Sequence, residues 1–216
     1  MKVLVTGSSR GIGKAICELF LENGHEVIGF DILESTIKHE NYTHLIHNIS
    51  DRNYPKIDGL EVLVNNAGIQ TQSEDDILVN LNDTIALTEH YAFCDTIKSV
   101  VNIASASALS GSEFPHYAAG KGGLVTYTKN LALRIAKYGA TANAVCPGGV
   151  ITELNEHILN DDKLYEAVLN EALLHRWSEP SEIASWVYFL ACVNRSMTGE
   201  ALLIDNGEML KSNFVW

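Results

Sequence analysis

Cysteine is scarce and scattered. Cys17, Cys94, Cys146 and Cys192 stand tens of residues apart with no C-x-x-C pair, which argues against disulfides and for reduced thiols in a cytoplasmic setting. Proline is rarer than glycine, 4 against 16, and the 19% of charged residues form no run of one sign, so disordered, collagen-like and coiled-coil classes fall away. Basic residues are outnumbered, 15 against 27 acidic, leaving a net charge of −12. A binder of phosphate backbones carries the opposite balance, so nucleic acid is not an expected partner. No apolar run is long enough to cross a bilayer, and no basic-then-apolar leader precedes Lys2-Val3-Leu4-Val5-Thr6, which already reads as structure. A soluble protein without a membrane partner is expected. What is present is a chain of 216 residues that is 46% apolar, enough to build the core of one domain spanning 1–216.

The apolar pattern alternates between two periods. Short β-branched runs at Lys2–Thr6, Glu26–Phe30, His44–His47, Glu61–Asn65, Ser99–Ile103, Thr141–Cys146 and Ala201–Asp205 recur between longer amphipathic stretches. This is the pattern of an α/β fold, a parallel sheet of about seven strands with helical crossovers. Ile12–Asn23 places Ile12, Ala15, Ile16, Leu19 and Phe20 on one helical face and stops at Asn23-Gly24. Two longer helices are expected over roughly Asp75–Ile97 and Tyr117–Tyr138. Between Asp31 and Leu60 only one short strand and no helix can be read.

Thr6-Gly7-Ser8-Ser9-Arg10-Gly11-Ile12-Gly13 lies between the first strand and the first helix. Glycines there allow a tight turn and close approach of the backbone to a pyrophosphate, and the helix N-terminus presents N–H donors at the positive end of its dipole. The second strand ends in Asp31, about 20 residues after the glycine loop, where a carboxylate can bond both hydroxyls of an adenosine ribose. The same carboxylate repels a 2′-phosphate, so Asp31 favours NAD. Arg10 could pair with that phosphate and points to NADP, but it can equally turn to solvent.

Tyr117 and Lys121 stand four apart on one helical face. Chance supplies roughly 0.4 such pairs from this composition, so the pair carries weight only in company. Its company is Ser105 at a strand end, Asn65-Asn66-Ala67-Gly68 after another strand, and Cys146-Pro147-Gly148-Gly149-Val150-Ile151-Thr152 downstream. With these motifs in this order, the sequence resembles the short-chain dehydrogenase/reductases, in the single-domain branch whose glycine loop is spaced T-G-x-x-x-G-x-G. The resemblance runs through Arg176-Trp177-Ser178-Glu179-Pro180 and Thr198-Gly199-Glu200-Ala201 to Asp205-Asn206-Gly207. It implies a doubly wound Rossmann sheet, a homodimer or homotetramer, and hydride transfer between a nicotinamide cofactor and a small alcohol or carbonyl compound. It also implies roles: Tyr117 as general acid/base, Lys121 binding the nicotinamide ribose and lowering the phenol pKa, Ser105 polarising the substrate oxygen, and Asn80 supporting a proton path. The chemistry independently asks for such groups, because a phenol needs a fixed positive charge to act as a base near neutral pH. At ~6 Å and an effective dielectric of ~20, one ammonium contributes about 3 kcal/mol. Hydride passes between carbon atoms, so no metal is required.

The remaining cofactor contacts are expected from Gly7, Ser9, Gly11, Ile12, Gly13, Ile32, Asn48, Ile49, Asn66, Ala67, Gly68, Pro147, Gly148, Val150 and Thr152. His39, His44 and His47 suggest no metal site, since His44 and His47 face opposite sides of a strand. Two intervals are short for this resemblance, 58 positions from Gly7 to Asn65 and 12 from Gly68 to Asn80, as though outer helices had been trimmed. Ser105 precedes Tyr117 by 12 positions, one fewer than usual, which keeps Ser107 as a rival. The segment Ile151–His175 is expected to cover the substrate, and contains no basic residue suited to a large anion such as an acyl-CoA. The terminal Phe214-Val215-Trp216 is a candidate cover for a neighbouring subunit, with fraying the alternative.

Overall fold

A computed structural model describes residues 1–112 and 114–210; Phe214-Val215-Trp216 lies outside them. Seven parallel strands form one sheet: β1 (Lys2–Thr6), β2 (Glu26–Asp31), β3 (Tyr42–Ile46), β4 (Val62–Asn65), β5 (Ser99–Ile103), β6 (Thr141–Pro147) and β7 (Ala201–Ile204). Their spatial order is β3-β2-β1-β4-β5-β6-β7. The chain therefore winds outward in one direction from β1 and in the other from β4, and a crevice opens between the C-terminal ends of these two strands. Central strands read as continuous apolar runs because helices cover both faces: Val3, Leu4 and Val5 are all inaccessible to solvent.

Helix α1 (Gly11–Glu22) lays Ile16, Cys17 and Phe20 against β1 and meets Ile183 and Val187 of the later helix Pro180–Tyr188 in the same core. It stops where Gly24 takes a φ of +74°. On the other face lies α5 (Pro115–Ile135), which carries Tyr117 and Lys121 and begins with a proline in its first turn. The outer crossovers are indeed trimmed. No helix links β2 to β3, and a single 3-10 turn at Ile49–Asp51 precedes β4. Strand β3 consequently buries none of its residues.

The helix expected over Asp75–Ile97 is a correction. It forms as α2 (Asp75–Ile77), a π-helical turn at Leu78–Asp83, and α3 (Thr84–Tyr91), and it ends six residues early. Tertiary bonds stop it there: the Tyr91 hydroxyl donates to Pro55 O, and the Thr96 hydroxyl donates to Leu60 O at 2.7 Å, turning the chain back toward β5. A short α4 (Ser107–Ser110) follows β5, and the segment after β6 forms α6 (Glu156–Leu159) and α7 (Asp162–Leu169) before α8 (Pro180–Tyr188). Among the described residues no helix is long and apolar enough to cross a membrane.

Candidate active site

The site is built where β1 and β4 part. Gly7 adopts a φ of +66°, and a Cβ on Gly13 would run into the Gly7 carbonyl, so the loop closes only with glycines at both places. The loop after β4 is tied to it across the crevice. Thr6 Oγ1 accepts from the backbone N–H groups of Asn66 and Ala67, and Asn66 Nδ2 donates to Thr6 O and Gly7 O. The positive end of α1, from Gly11 through Ile12 to Gly13, faces out of this knot.

Asp31 ends β2 beside the loop. Its Oδ2 accepts from Ser9 N at 2.9 Å and its Oδ1 from Leu33 N at 3.0 Å, so each oxygen keeps a further lone pair for a hydroxyl. Ile32 next to it is 64% exposed, an apolar surface available to a flat ring. Arg10, the residue preceding α1, is exposed and makes no capping bond. Asn48 Oδ1 accepts from Ser50 N and shapes the turn after β3, while Ile49 is buried in the core.

The chemical half gathers around Lys121. Its ammonium is buried, donates to Ile103 O at 2.9 Å and stands 5.8 Å from the centroid of the half-buried Tyr117 ring. Burial lowers its pKa from the usual lysine value to about 8, the charge having left water with little to compensate it. Ser105 Oγ accepts from both Ser107 N (3.2 Å) and Ser107 Oγ (2.8 Å), which leaves its own hydrogen free to donate. The two rival serines thus form one unit, Ser107 buttressing Ser105. Asn80, buried in the π-helical turn, grips the Ile69 peptide with both ends of its amide, accepting from Ile69 N at 2.9 Å and donating to Ile69 O at 2.7 Å. Gly68 lies under these groups: a Cβ there would sit 2.7 Å from Asn80 Oδ1 and 3.2 Å from Lys121 Nζ.

From Pro147 to Thr152 the chain runs from the end of β6 back to the glycine loop. Pro147 O accepts from Ala106 N beside Ser105, Gly148 N donates to Ile204 O, Val150 pairs with Ser178, and Thr152 lies against Gly11. Trp177 packs on Gly149 and meets the edge of Tyr165 of α7 at 5.9 Å between centroids. No residue between 151 and 171 is buried, so α6 and α7 rest on the surface as a cover and contribute little to the core. Sequence reading missed two fully buried carboxylates beside Asn80, Asp76 and Asp83. Their spacing of four and three residues from Asn80 was the available signal.

A crevice at the switch point, a glycine knot under a helix N-terminus, an acid with spare lone pairs and a buried ammonium beside a phenol together fit a nicotinamide dinucleotide and define an oxidoreductase of the Rossmann class. The comparisons agree. Residues 7–208 match the family model described as Enoyl-(Acyl carrier protein) reductase. An uncharacterized short-chain type dehydrogenase/reductase of Sinorhizobium fredii is 32% identical over 96% of this chain, which spans 43% of that protein's length. The 3-oxoacyl-[acyl-carrier-protein] reductase FabG of Vibrio harveyi is 33% identical, covering 94% of this chain and 95% of its own. Among solved structures, 4-hydroxyisoleucine dehydrogenase complexed with NADH superposes with a TM-score of 0.89 at 27% identity, over 98% of this chain and 99% of that one. A putative 2-deoxy-d-gluconate 3-dehydrogenase from Agrobacterium tumefaciens with bound NADP superposes at 0.87 and 27% identity, over 97% and 96%. The chain belongs to the short-chain dehydrogenase/reductase family and is an NAD(P)-dependent oxidoreductase.

Proposed function

We propose that residues 1–216 form a single dinucleotide-binding catalytic domain that interconverts a small secondary alcohol and the corresponding ketone with NAD(H). The observation that carries the reading is the buried Lys121 ammonium, held by Ile103 O beside the Tyr117 ring. Bound nicotinamide supplies or accepts the hydride. Gly7, Ser9, Gly11, Ile12 and Gly13 receive the pyrophosphate, Asp31 with Ile32 the adenosine ribose and ring, and Asn66, Ala67 and Gly68 the nicotinamide side. Pro147, Gly148, Val150 and Thr152 flank the carboxamide. Tyr117 gives or takes the substrate proton, and Lys121 favours its phenolate. Ser105 donates its free hydrogen to the substrate oxygen and stabilises developing alkoxide charge without competing for the proton. Asn80 borders the polar path beyond Lys121.

NAD is favoured over NADP because a carboxylate placed for two hydroxyls leaves no room for a dianion. The exposed Arg10 supports the second reading, an NADPH-linked carbonyl reductase. The half-exposed β7 edge and the exposed Trp186, Phe189 and Val193 support a homodimer or homotetramer. The test is turnover of a panel of secondary alcohols and ketones with each cofactor. We expect higher kcat/KM with NAD(H), and a loss of about 10²- to 10⁴-fold in Tyr117→Phe. Equal turnover by wild type and Tyr117→Phe would falsify the enzymatic role of this site and leave a nucleotide-binding regulator on the same fold.

A further inference from the structure

Asp76 is fully buried and belongs to none of the expected machinery. Its Oδ1 accepts from Thr71 N at 2.7 Å and Thr71 Oγ1 at 2.9 Å, and its Oδ2 from Gln72 N at 3.1 Å. Four residues later Asn80 holds Ile69 N and Ile69 O. Two side chains on one face of a short helical segment therefore grip three residues of the 69–72 stretch, Ile69, Thr71 and Gln72. The gripped segment is the shortened connection from Gly68 to Asn80, and it is bent at a cost, since Gln72 takes a left-handed φ of +64°. An unanchored loop would not hold that conformation. Its other end is Gly68, packed under Asn80 Oδ1 and Lys121 Nζ.

We propose that Asp76 is a positioning residue for the reaction: it anchors the 69–72 loop so that the Ile69 peptide stays where Asn80 can hold it, and thereby fixes the Asn80 amide beside Lys121. This rests on the reading of Asn80 as part of the proton path. An aspartate suits the task because its two oxygens take three donors at once, and every one of these donors belongs to the loop. Asparagine would turn an NH2 group toward at least one N–H or O–H donor and loosen the anchor while keeping the volume. Thr71→Val is gentler: at an exposed position it removes the hydroxyl bonds to Asp76 and to Ser73 Oγ and keeps the backbone bond from Thr71 N to Asp76.

The test is a double-mutant cycle on kcat, with thermal unfolding and NADH affinity by fluorescence as controls for the fold and the cofactor site. Asp76→Asn should lower kcat about tenfold with NADH affinity and KM within about twofold, Thr71→Val should lower it less, and Asn80→Ala should lower it at least as much as Asp76→Asn. On the Asn80→Ala background both Asp76→Asn and Thr71→Val should change nothing, because the group they position is gone. Should their effects multiply with that of Asn80→Ala, or be absent, Asp76 does not act through Asn80 and the proposal fails while the active-site reading stands. Wild-type kcat in Asn80→Ala would overturn the role of Asn80 and this inference with it. If Asp76→Asn does not fold, Thr71→Val decides between the same outcomes.

Discussion

Lys121 shows what the site costs the fold. Its ammonium is buried with one backbone carbonyl as its hydrogen-bond partner, and its pKa falls from 10.5 to about 8. A lysine whose folded-state pKa is lowered burdens the native state whenever it is protonated. The burden is complete below about pH 8, and it fades as the pH rises toward the unfolded value of 10.5. Cys17 and Cys146 act with the opposite sign, because burial raises both thiols and the unfolded chain loses those protons first. The contribution of Lys121 is isolated by comparison with Lys121→Met, which keeps the apolar stem and drops the charge. We expect the stability advantage of Lys121→Met, measured by urea unfolding without cofactor, to shrink by about 2 kcal/mol between about pH 7 and 9.5. A constant difference across that range would show that the ammonium is not strained. The same variant should lose turnover if Lys121 serves Tyr117 as proposed, the cation that burdens the fold then being the one that favours the phenolate.

Among the elements, the π-helical turn at Leu78–Asp83 joins the two halves of the site. Asn80 holds Ile69, and Asp83, buried three residues on, accepts from Ser50 Oγ at 2.6 Å and from Arg52 Nη2 at 2.7 Å. Ser50 and Arg52 belong to the turn that Asn48 shapes after β3, so Asp83 ties that turn to the segment that carries Asn80 where no outer helix does so. Asp83→Asn should cost about 1–3 kcal/mol in urea unfolding, because the buried side chain then turns an NH2 group toward Ser50 Oγ or the Arg52 guanidinium, both donors. It should also raise the NADH dissociation constant more than it lowers kcat; an unchanged dissociation constant with a reduced kcat would place its effect on the wrong side. Asp76 and Asp83 offered only their spacing from Asn80 as a signal, for their donors Thr71, Ser50 and Arg52 reach them through folding of the loops. The five inner strands were legible because buried parallel strands are apolar runs between turn residues, a pattern local to each run, whereas β3, which buries no residue, starts two residues before the run His44–His47 read from the sequence. The early end of α3 was not, since it depends on Pro55 and Leu60, about 36 residues upstream. Residues proposed to carry chemistry stand out by type and spacing; the bonds that hold them in place, such as those of Asp76 and Asp83, appear only in three dimensions.

Across the whole molecule, charge decides what can approach the crevice. The net charge is −12, and the surface segment that follows the glycine-loop contact of Thr152 concentrates it: Glu153, Glu156, Asp161, Asp162, Glu166 and Glu171 against Lys163 alone between 151 and 175, six acids less one base. The 69–75 loop adds Glu74 and Asp75, both exposed. Inside, Lys121 is buried and held by Ile103 O, and its proposed role directs its remaining donors to the nicotinamide ribose rather than to a carboxylate or phosphate. Two like charges about 10 Å apart in water repel by roughly 0.4 kcal/mol before screening, and several on each side add up to more than the factor of ten that 1.4 kcal/mol represents. With that segment over the substrate, as proposed, a substrate borne on a polyanionic carrier is expected to bind less well than a neutral one, although the Vibrio harveyi relative is named for such a carrier. The same 3-oxobutanoyl group can be offered on neutral N-acetylcysteamine and on coenzyme A. We expect the neutral thioester to show at least a tenfold higher kcat/KM at about 20 mM salt, with the gap closing toward about 300 mM as the Debye length shortens. Replacing Glu156, Asp162 and Glu166 by lysine should raise the rate with the coenzyme A thioester and leave the neutral one nearly unchanged. A wild-type preference for the coenzyme A thioester, insensitive to salt, would show that the acidic cover does not face the incoming substrate.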